Sequence, residues 1–381
     1  MLRMLWIAVV ALAALGALGC ASQRAAEAAG GSAAAALAAS SAPSPSASPS
    51  APSELAGWSN RRLAAQLVVC SVPATNPLAG RKFARKGVGG IVILGSGARS
   101  NIGKDLAAVL RAAPGGVKPF IASDEEGGQV QRLRDVIYPL PSARVMGGWS
   151  ASKTRETAKD YGARLRKLHV SVVFGPVADL DVPGKYMSGL DRCFSSKPKV
   201  VGSHAAAWVS GLRASRVLST VKHWPGHGWA SDTHSGAARI PSLSVLRRYD
   251  MLPFERAFDA GVPMVMVGHL RSRGLTGEHT PASLSRNAMR YLRSRVGDDT
   301  VIITDSLSMA ATTKALRIGT PAAAVRALRA GADLALFASG SPDAVIDAVT
   351  AAIRSGRLPR AQAEASALRA LELKRRAGLA P

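Results

Sequence analysis

Three of the seven histidines of the chain lie in one fifteen-residue segment, KHWPGHGWASDTHSG, which spans residues 222–236. Histidine exchanges a proton more readily near neutral pH than any other side chain, so this cluster indicates proton transfer or metal binding. Asp232 and His234 stand two positions apart, a spacing at which a loop carboxylate can orient an imidazole. The segment therefore predicts acid/base chemistry.

A zinc site is a second interpretation of the same histidines. His223 and His227 are four residues apart and would share one face of a helix, with His234 as a third ligand. However, Pro225 and Gly226 break a helix at this point, and the glutamate of the H-E-x-x-H pattern is absent. The sequence thus favours proton transfer without a metal or another cofactor.

Eight short apolar segments are separated by Ala-, Leu- and Arg-rich stretches that predict helices. The segments are apolar throughout rather than alternating, which is typical of parallel strands buried on both faces. A doubly wound sheet would give similar local signals, but a count of eight predicts an α/β fold of the (β/α)8 TIM-type barrel class, as a single catalytic domain over residues 54–381. The segments are QLVVCSV (66–72), VGGIVIL (88–94), PFIAS (119–123), VSVVFG (170–175), LSTV (218–221), PMVMVG (263–268), TVIIT (300–304) and ADLALF (332–337).

Ionisable residues follow four of these segments. Asp124 follows PFIAS, Lys222 and His223 follow LSTV, His269 follows PMVMVG, and Asp305 follows TVIIT. Because the carboxyl ends of all barrel strands open on one mouth, we expect these groups to converge there. An aspartate at a strand end often caps the next helix, but four charged strand ends together indicate an active site.

Basic residues outnumber acidic residues by 49 to 25, which gives a formal charge of +24. This excess favours an anionic partner such as nucleic acid, anionic lipid or an acidic cell-wall polymer. The basic residues are scattered, and no recognition helix, zinc knuckle or aromatic–basic sheet motif is present, so we expect no nucleic acid partner. Two cysteines, Cys70 and Cys193, are weak evidence for a disulfide, and we favour two buried thiols.

The first twenty residues resemble a bacterial lipoprotein signal. A short positive start is followed by an apolar run that ends in small residues and then by Cys20, although Ala17 stands where leucine is more usual. We therefore predict a signal peptide with a lipobox over residues 1–20, lipidation at Cys20, and anchoring at the outer face of the cell membrane, with secretion as the alternative. Residues 21–53 are nearly all Ala, Ser, Pro and Gly, which predicts a disordered tether.

Six segments, in order along the chain, resemble the motifs of family 3 glycoside hydrolases, specifically the bacterial exo-β-N-acetylglucosaminidases. KHWPGHG followed by DTH is similar to the K-H-F-P-G-H-G…D-S-H signature of that family. The similarity covers about residues 54–350. The other segments are ASDEEGGQVQRL (122–133), FGPVADLD (174–181), DRCFSS (191–196), TPASLS (280–285) and VIITDSLSMAA (301–311).

The resemblance implies a retaining mechanism that removes terminal β-linked N-acetylglucosamine from peptidoglycan fragments during cell-wall turnover. Asp305 matches the position of the nucleophile, His234 that of the acid/base, and Asp232 that of its partner. The implied enzyme is a monomer and needs no metal. Further matched positions, which hold the terminal sugar through its hydroxyls, are Asp124, Arg132, Arg192, Lys222 and His223.

Three positions depart from the family pattern. The loop before Asp232 has three residues, 229–231, where four are usual, Glu125 stands where glutamine is usual, and Ser306 replaces a second aspartate. We expect Ser306 to make Asp305 easier to ionise, because a neighbouring negative charge is absent. Two alternatives to hydrolysis stay open: phosphorolysis, since a histidine acid/base tolerates an anionic acceptor, and a non-catalytic cell-wall-binding lipoprotein.

Overall fold

Eight parallel strands form one sheet that closes on itself. Neighbours in the sheet follow chain order from β1 to β7, β8 pairs with β1, and a bridge between Ile303 and Leu334 joins β7 to β8. Each predicted apolar segment overlaps one strand, so the (β/α)8 barrel is confirmed. The strands are β1 (Val68–Pro73), β2 (Gly90–Leu94), β3 (Phe120–Ser123), β4 (Val172–Val173), β5 (Leu218–Trp224), β6 (Met264–Val267), β7 (Val301–Thr304) and β8 (Ala335–Phe337).

The computed structural model describes residues 54–236 and 238–381. Helices link successive strands and cover the barrel, because their apolar residues recur on one face; Ile102–Arg111, for example, buries Ile102, Leu106, Val109 and Leu110. The α-helices are Asn60–Gln66, Gly80–Ala84, Ile102–Arg111, Ala143–Met146, Ala151–Lys167, Tyr186–Gly189, Pro198–Ala214, Leu243–Arg248, Leu252–Asp259, Arg286–Val296, Thr313–Leu316, Thr320–Ala330, Pro342–Arg354 and Arg360–Arg376, and the 3-10 helices are Pro77–Ala79 and Ala282–Leu284.

The final helix, Arg360–Arg376, crosses the end of the barrel where the strands begin. Arg369 binds Asp298 and Asp333, which precede β7 and β8, and Lys374 donates a hydrogen bond to Gln66, which precedes β1. We call this end the base of the barrel, and the opposite end, where the strands finish, the mouth. The helix therefore closes the base, and the mouth is left for ligands.

The strand bounds correct one detail of the prediction. β5 continues to Trp224, so Lys222 and His223 lie inside the strand and not after it. Cys70 and Cys193 are buried free thiols, as favoured. The predicted signal peptide, its lipidation site Cys20 and the tether over residues 21–53 lie outside the described residues. In the part of the chain that is described, no helix has the length and apolar character needed to cross a membrane.

Candidate active site

A cavity of about 400 Å³ opens at the mouth of the barrel. Its floor is formed by residues near the ends of the strands, including Val92 of β2, Met266 of β6 and Leu336 of β8. Asp232 is absent from the wall but contacts His234, which is part of it. The other predicted site residues all line this cavity: Asp124, Arg132, Arg192, Lys222, His223, His234 and Asp305.

Asp305 is fixed at the mouth by backbone contacts. It directly follows β7, and its backbone N–H donates to the carbonyl of Val267 at 2.9 Å. The side chain is 8% exposed, and the backbone N–H of Ser306 donates to its Oδ1 at 2.7 Å. Burial opposes ionisation, but favourable contacts with neighbouring groups, among them the charged Lys222 and this N–H, outweigh it, so the pKa of Asp305 is lowered. An ionised carboxylate therefore faces the cavity.

His234 and Asp232 form a pair on the loop after β5. Nδ1 of His234 lies 2.7 Å from Oδ1 of Asp232, and the same oxygen accepts the backbone N–H of His234 at 2.9 Å. Partial burial opposes ionisation of Asp232, but these contacts with His234 outweigh it and lower the pKa of the carboxyl. Since Nδ1 donates to the carboxylate, Nε2 is the ring atom left to exchange a proton.

A buried ion cluster forms one wall of the cavity. Nζ of Lys222 lies 2.6 Å from a carboxylate oxygen of Asp124 and 2.6 Å from one of Glu126. Arg192 binds Glu126 with two hydrogen bonds of 2.7 and 2.8 Å, and Arg132 lies 3.5 Å from Asp124. Burial lowers the pKa of Lys222, but the two carboxylates raise it more, so the ammonium stays charged beside the cavity.

His223 is held by Asp179, a carboxylate for which the sequence predicted no role. Asp179 is fully buried and accepts hydrogen bonds from Nδ1 of His223 at 2.7 Å and from the backbone N–H groups of His223 and His227. Burial opposes ionisation of Asp179, but His223 and His227 outweigh it and lower its pKa. Asp179 therefore orients His223 and fixes the start of the histidine-rich loop. The peptide bond between Lys222 and His223 is cis.

His269 supports the backbone beside Asp305. Its Nε2 donates to the carbonyl of Ser306 at 2.8 Å, so its Nδ1 accepts from the hydroxyl of Ser283 at 2.7 Å. Burial lowers the pKa of His269, which keeps this neutral tautomer in place. Of the four strand-end groups predicted to converge, His269 is the one that does not line the cavity; it acts through Ser306.

Two site residues were missed although their segments were singled out. Glu126 lies in the acidic run after β3, and Asp179 lies in the segment FGPVADLD. A buried lysine such as Lys222 needs carboxylate partners, and this requirement was the available signal for Glu126. Among the described residues, no group of three or more His, Cys, Asp or Glu is arranged to hold a metal ion.

An ionised carboxylate, an imidazole–carboxylate pair and a wall of charged hydrogen-bonding groups around one small cavity define a barrel enzyme that cleaves glycosidic bonds. The chain matches the model of the glycosyl hydrolase family 3 N-terminal domain over residues 62–373, and it belongs to that family. It is a glycoside hydrolase of the β-N-acetylhexosaminidase type, as the relatives below indicate.

The beta-hexosaminidase LpqI of Mycobacterium tuberculosis is 38% identical over 298 residues, which cover 75% of this chain and 76% of the relative. A crystal structure of a family 3 member from Mycobacterium smegmatis superposes with a TM-score of 0.76 at 35% identity, covering 86% of this chain and 99% of that one. A family 3 β-N-acetylglucosaminidase from Paenibacillus superposes with a TM-score of 0.77 at 31% identity, covering 84% and 62%.

Proposed function

We propose that this protein is a retaining exo-β-N-acetylglucosaminidase that removes the terminal sugar from peptidoglycan fragments by way of a covalent glycosyl-enzyme. The observation that carries this proposal is that the ionised Asp305 and the paired His234 line the same cavity of about 400 Å³. This volume lies at the small end of the range for ligand sites and suits one sugar ring rather than a long chain. Removal of a terminal residue follows from that size.

In the first half-reaction, a carboxylate oxygen of Asp305 attacks the anomeric carbon and the bond from that carbon to the leaving oxygen breaks. His234 donates the proton from Nε2 to the leaving oxygen. In the second half-reaction, water attacks the anomeric carbon, gives a proton to His234 and releases Asp305. Asp232 keeps the ring oriented through Nδ1, and its negative charge stabilises the imidazolium form.

The charged wall is proposed to bind the hydroxyls of the terminal sugar. Asp124 and Lys222 offer an acceptor and a donor within one ion pair, and Arg132 and Arg192 add further donors. Because these groups are already paired and held in position, little reorganisation is needed when the sugar binds. His223, oriented by Asp179, presents its second ring nitrogen to the same cavity.

The natural substrate in this proposal is a fragment with N-acetylglucosamine β-linked to a muramyl or anhydromuramyl residue. The hexosaminidase relatives support the sugar, and the predicted lipidation of Cys20 supports a place next to the cell wall. Both the substrate and the anchoring at the outer face of the cell membrane are proposals. The barrel would release one N-acetylglucosamine from each fragment.

A trapping experiment tests the covalent step. We expect His234→Ala to retain the first half-reaction on an aryl β-N-acetylglucosaminide whose leaving group needs no proton, and to lose roughly 10²–10⁴-fold in steady-state rate because water is no longer deprotonated. Mass spectrometry should then show one N-acetylhexosamine on the peptide that contains Asp305. An adduct on another residue would assign the nucleophile elsewhere.

The stereochemistry and the acceptor form the second arm of this test. NMR of the wild-type reaction should show the β anomer of the released sugar first, because two displacements restore the configuration. Initial release of the α anomer would contradict a retaining mechanism. In phosphate buffer, N-acetylglucosamine 1-phosphate as the main product would identify phosphorolysis, and sugar binding without turnover at any pH would identify a binding protein.

A further inference from the structure

The outer helices of the barrel end in basic residues. Each helix that links two strands runs from the mouth to the base, because it leaves the end of one strand and leads to the start of the next. A single basic residue in a last helical turn is explained by the helix dipole. In a barrel, however, these residues all gather at the base. They include Arg111, Arg164, Arg166, Lys167, Arg213, Arg293, Arg295, Arg329 and Arg354.

Part of this charge is exposed and has no acidic partner. Among the described residues, Arg111, Lys118, Arg166, Arg216 and Arg329 are exposed, and none of them lies within an ion-pair distance of a carboxylate. Lys118, Arg166 and Arg216 border one hollow of about 200 Å³. We call these five residues the basic base.

Two acidic residues at the same end are already engaged. Asp333 is buried and bound by Arg293 and Arg369, and Asp298 is bound by Arg369. Asp299, next to β7, is exposed and has no ion pair among the described residues, but one carboxylate does not compensate the five charges of the basic base. A surface of this kind attracts a planar array of negative charges over about 8 Å at physiological ionic strength.

The amino-terminal segment joins the barrel at this same end. Glu54, the first described residue, binds Arg375 at 3.0 Å, and Arg375 belongs to the helix that closes the base. A lipid at the predicted site Cys20 would therefore be connected to the base and not to the mouth.

We propose that the basic base docks on the anionic headgroups of the membrane, so that the active-site mouth points away from the lipid. Because the basic base is positively charged, the ligand that we propose for it is the phosphate headgroup of anionic phospholipid. The orientation relies on the predicted anchor, whereas the docking itself does not depend on the sugar chemistry.

The test uses the fragment 52–381, which contains the complete barrel as one compact unit. The crystal structure from Mycobacterium smegmatis indicates that such a barrel folds on its own. The part of this chain that matches it, 86% of the residues, corresponds to 99% of that protein's chain. Sedimentation with vesicles measures partitioning, with phosphatidylcholine alone or with a third of phosphatidylglycerol. We expect binding only to the anionic vesicles, with a steep loss between about 50 and about 300 mM salt, because the Debye length falls from roughly 14 Å to roughly 6 Å over that range.

Three substitutions at the base, Arg111→Gln, Lys118→Gln and Arg166→Gln, should together lower partitioning about 100-fold at low salt, since each basic residue at an anionic surface contributes roughly five-fold. The matched control removes three exposed charges near the mouth, Arg99→Gln, Lys104→Gln and Lys199→Gln, and should bind like the wild type.

Hydrolysis of a soluble chromogenic substrate reports on the fold of both variants and should be unchanged, so failure of docking and failure of the proposed activity are distinguishable. Equal losses of partitioning for the two triple variants would overturn the proposal, because binding would then depend on the total charge of the protein and not on one of its faces. Absence of binding to anionic vesicles would overturn it as well. Binding of a soluble polyanion such as heparin, without vesicle binding, would assign the face to another partner.

Discussion

Lys222 and Lys374 are both almost completely buried, at opposite ends of the barrel. At the mouth, Nζ of Lys222 lies 2.6 Å from carboxylate oxygens of both Asp124 and Glu126. At the base, Nζ of Lys374 donates to the neutral amide oxygen of Gln66 at 2.6 Å. Burial lowers the pKa of Lys374 to about 7, whereas the two carboxylates overcome the same effect at Lys222 and raise its pKa.

This difference in pKa indicates different roles: Lys222 carries a charge that can bind a ligand, whereas Lys374 serves in packing. A buried ion cluster requires its charges to lose their water, and it often stabilises a protein no more than apolar side chains would. Its presence at the mouth therefore indicates a function. At the base, the long side chain of Lys374 fills space under the barrel, and its charge has no partner of opposite sign within the described hydrogen bonds and ion pairs. Substitutions should therefore affect activity at the mouth and stability at the base.

The largest effect is expected for the buried aspartates of the two ends. Asp305→Asn should lower kcat by roughly 10⁴–10⁶-fold, because a neutral amide cannot form the glycosyl-enzyme. Its free energy of unfolding should change by about 1 kcal/mol or less, since Asn can still accept the N–H of Ser306. Turnover of a chromogenic β-N-acetylglucosaminide and urea denaturation measure the two quantities.

Asp333→Asn at the base is the matched control and should show the reverse pattern. Asp333 is 1% exposed and binds Arg293 and Arg369, so its loss leaves two arginines without their anion. We expect a destabilisation of about 3 kcal/mol, the low end for a broken buried ion pair, because both arginines are 22% exposed. We expect kcat of the folded Asp333→Asn variant to equal that of the wild type. An Asp305→Asn enzyme with more than a hundredth of wild-type turnover would contradict this pattern.

A smaller but double effect is expected for Lys222→Met. Loss of the ammonium removes a charged hydrogen-bond donor to the sugar, which should lower kcat/KM by about 10- to 100-fold. It also leaves Asp124 and Glu126 near each other without their shared cation, so the protein should lose stability. Lys374→Met should leave kcat/KM unchanged. Equal kcat/KM values for wild type and Lys222→Met would show that the ion cluster does not contact the sugar.

The sequence was sufficient to predict the existence of the eight strands, because each overlaps an apolar segment. It was sufficient to predict seven lining residues, because they stand at strand ends or in family-like motifs. It was not sufficient for Glu126, whose partners Arg192 and Lys222 lie far away along the chain. The predicted end of β5 at Val221 was also too early, since a lysine and a histidine rarely continue a buried strand. These polar side chains can be buried only because Asp179, Asp124 and Glu126 bind them, and these carboxylates lie in the segments that follow two other barrel strands.

The role of Ser306 illustrates the same limit. Its predicted effect is to make Asp305 easier to ionise because a neighbouring negative charge is absent, and this stays a prediction. The contribution that the structure assigns to Ser306 is its backbone N–H, which donates to Oδ1 of Asp305 and lowers the pKa of that carboxyl. Any residue except proline would offer that N–H, so this contribution could not be predicted from the type of residue at position 306.

The smallest effect concerns the pH dependence of stability at the base. With a pKa of about 7 in the folded state against about 10.4 in an unfolded chain, Lys374 binds fewer protons folded than unfolded between pH 7 and 10. Its contribution to stability should therefore rise with pH across that window and be lost as pH falls through 7. In Lys374→Met this rise of the free energy of unfolding with pH should be absent. The unpaired amide oxygen of Gln66 in that variant should lower the free energy of unfolding by the same amount at every pH. Urea denaturation of both proteins at pH 7, 8 and 9 measures the difference, and parallel curves would mean that the amine of Lys374 stays protonated in the folded barrel.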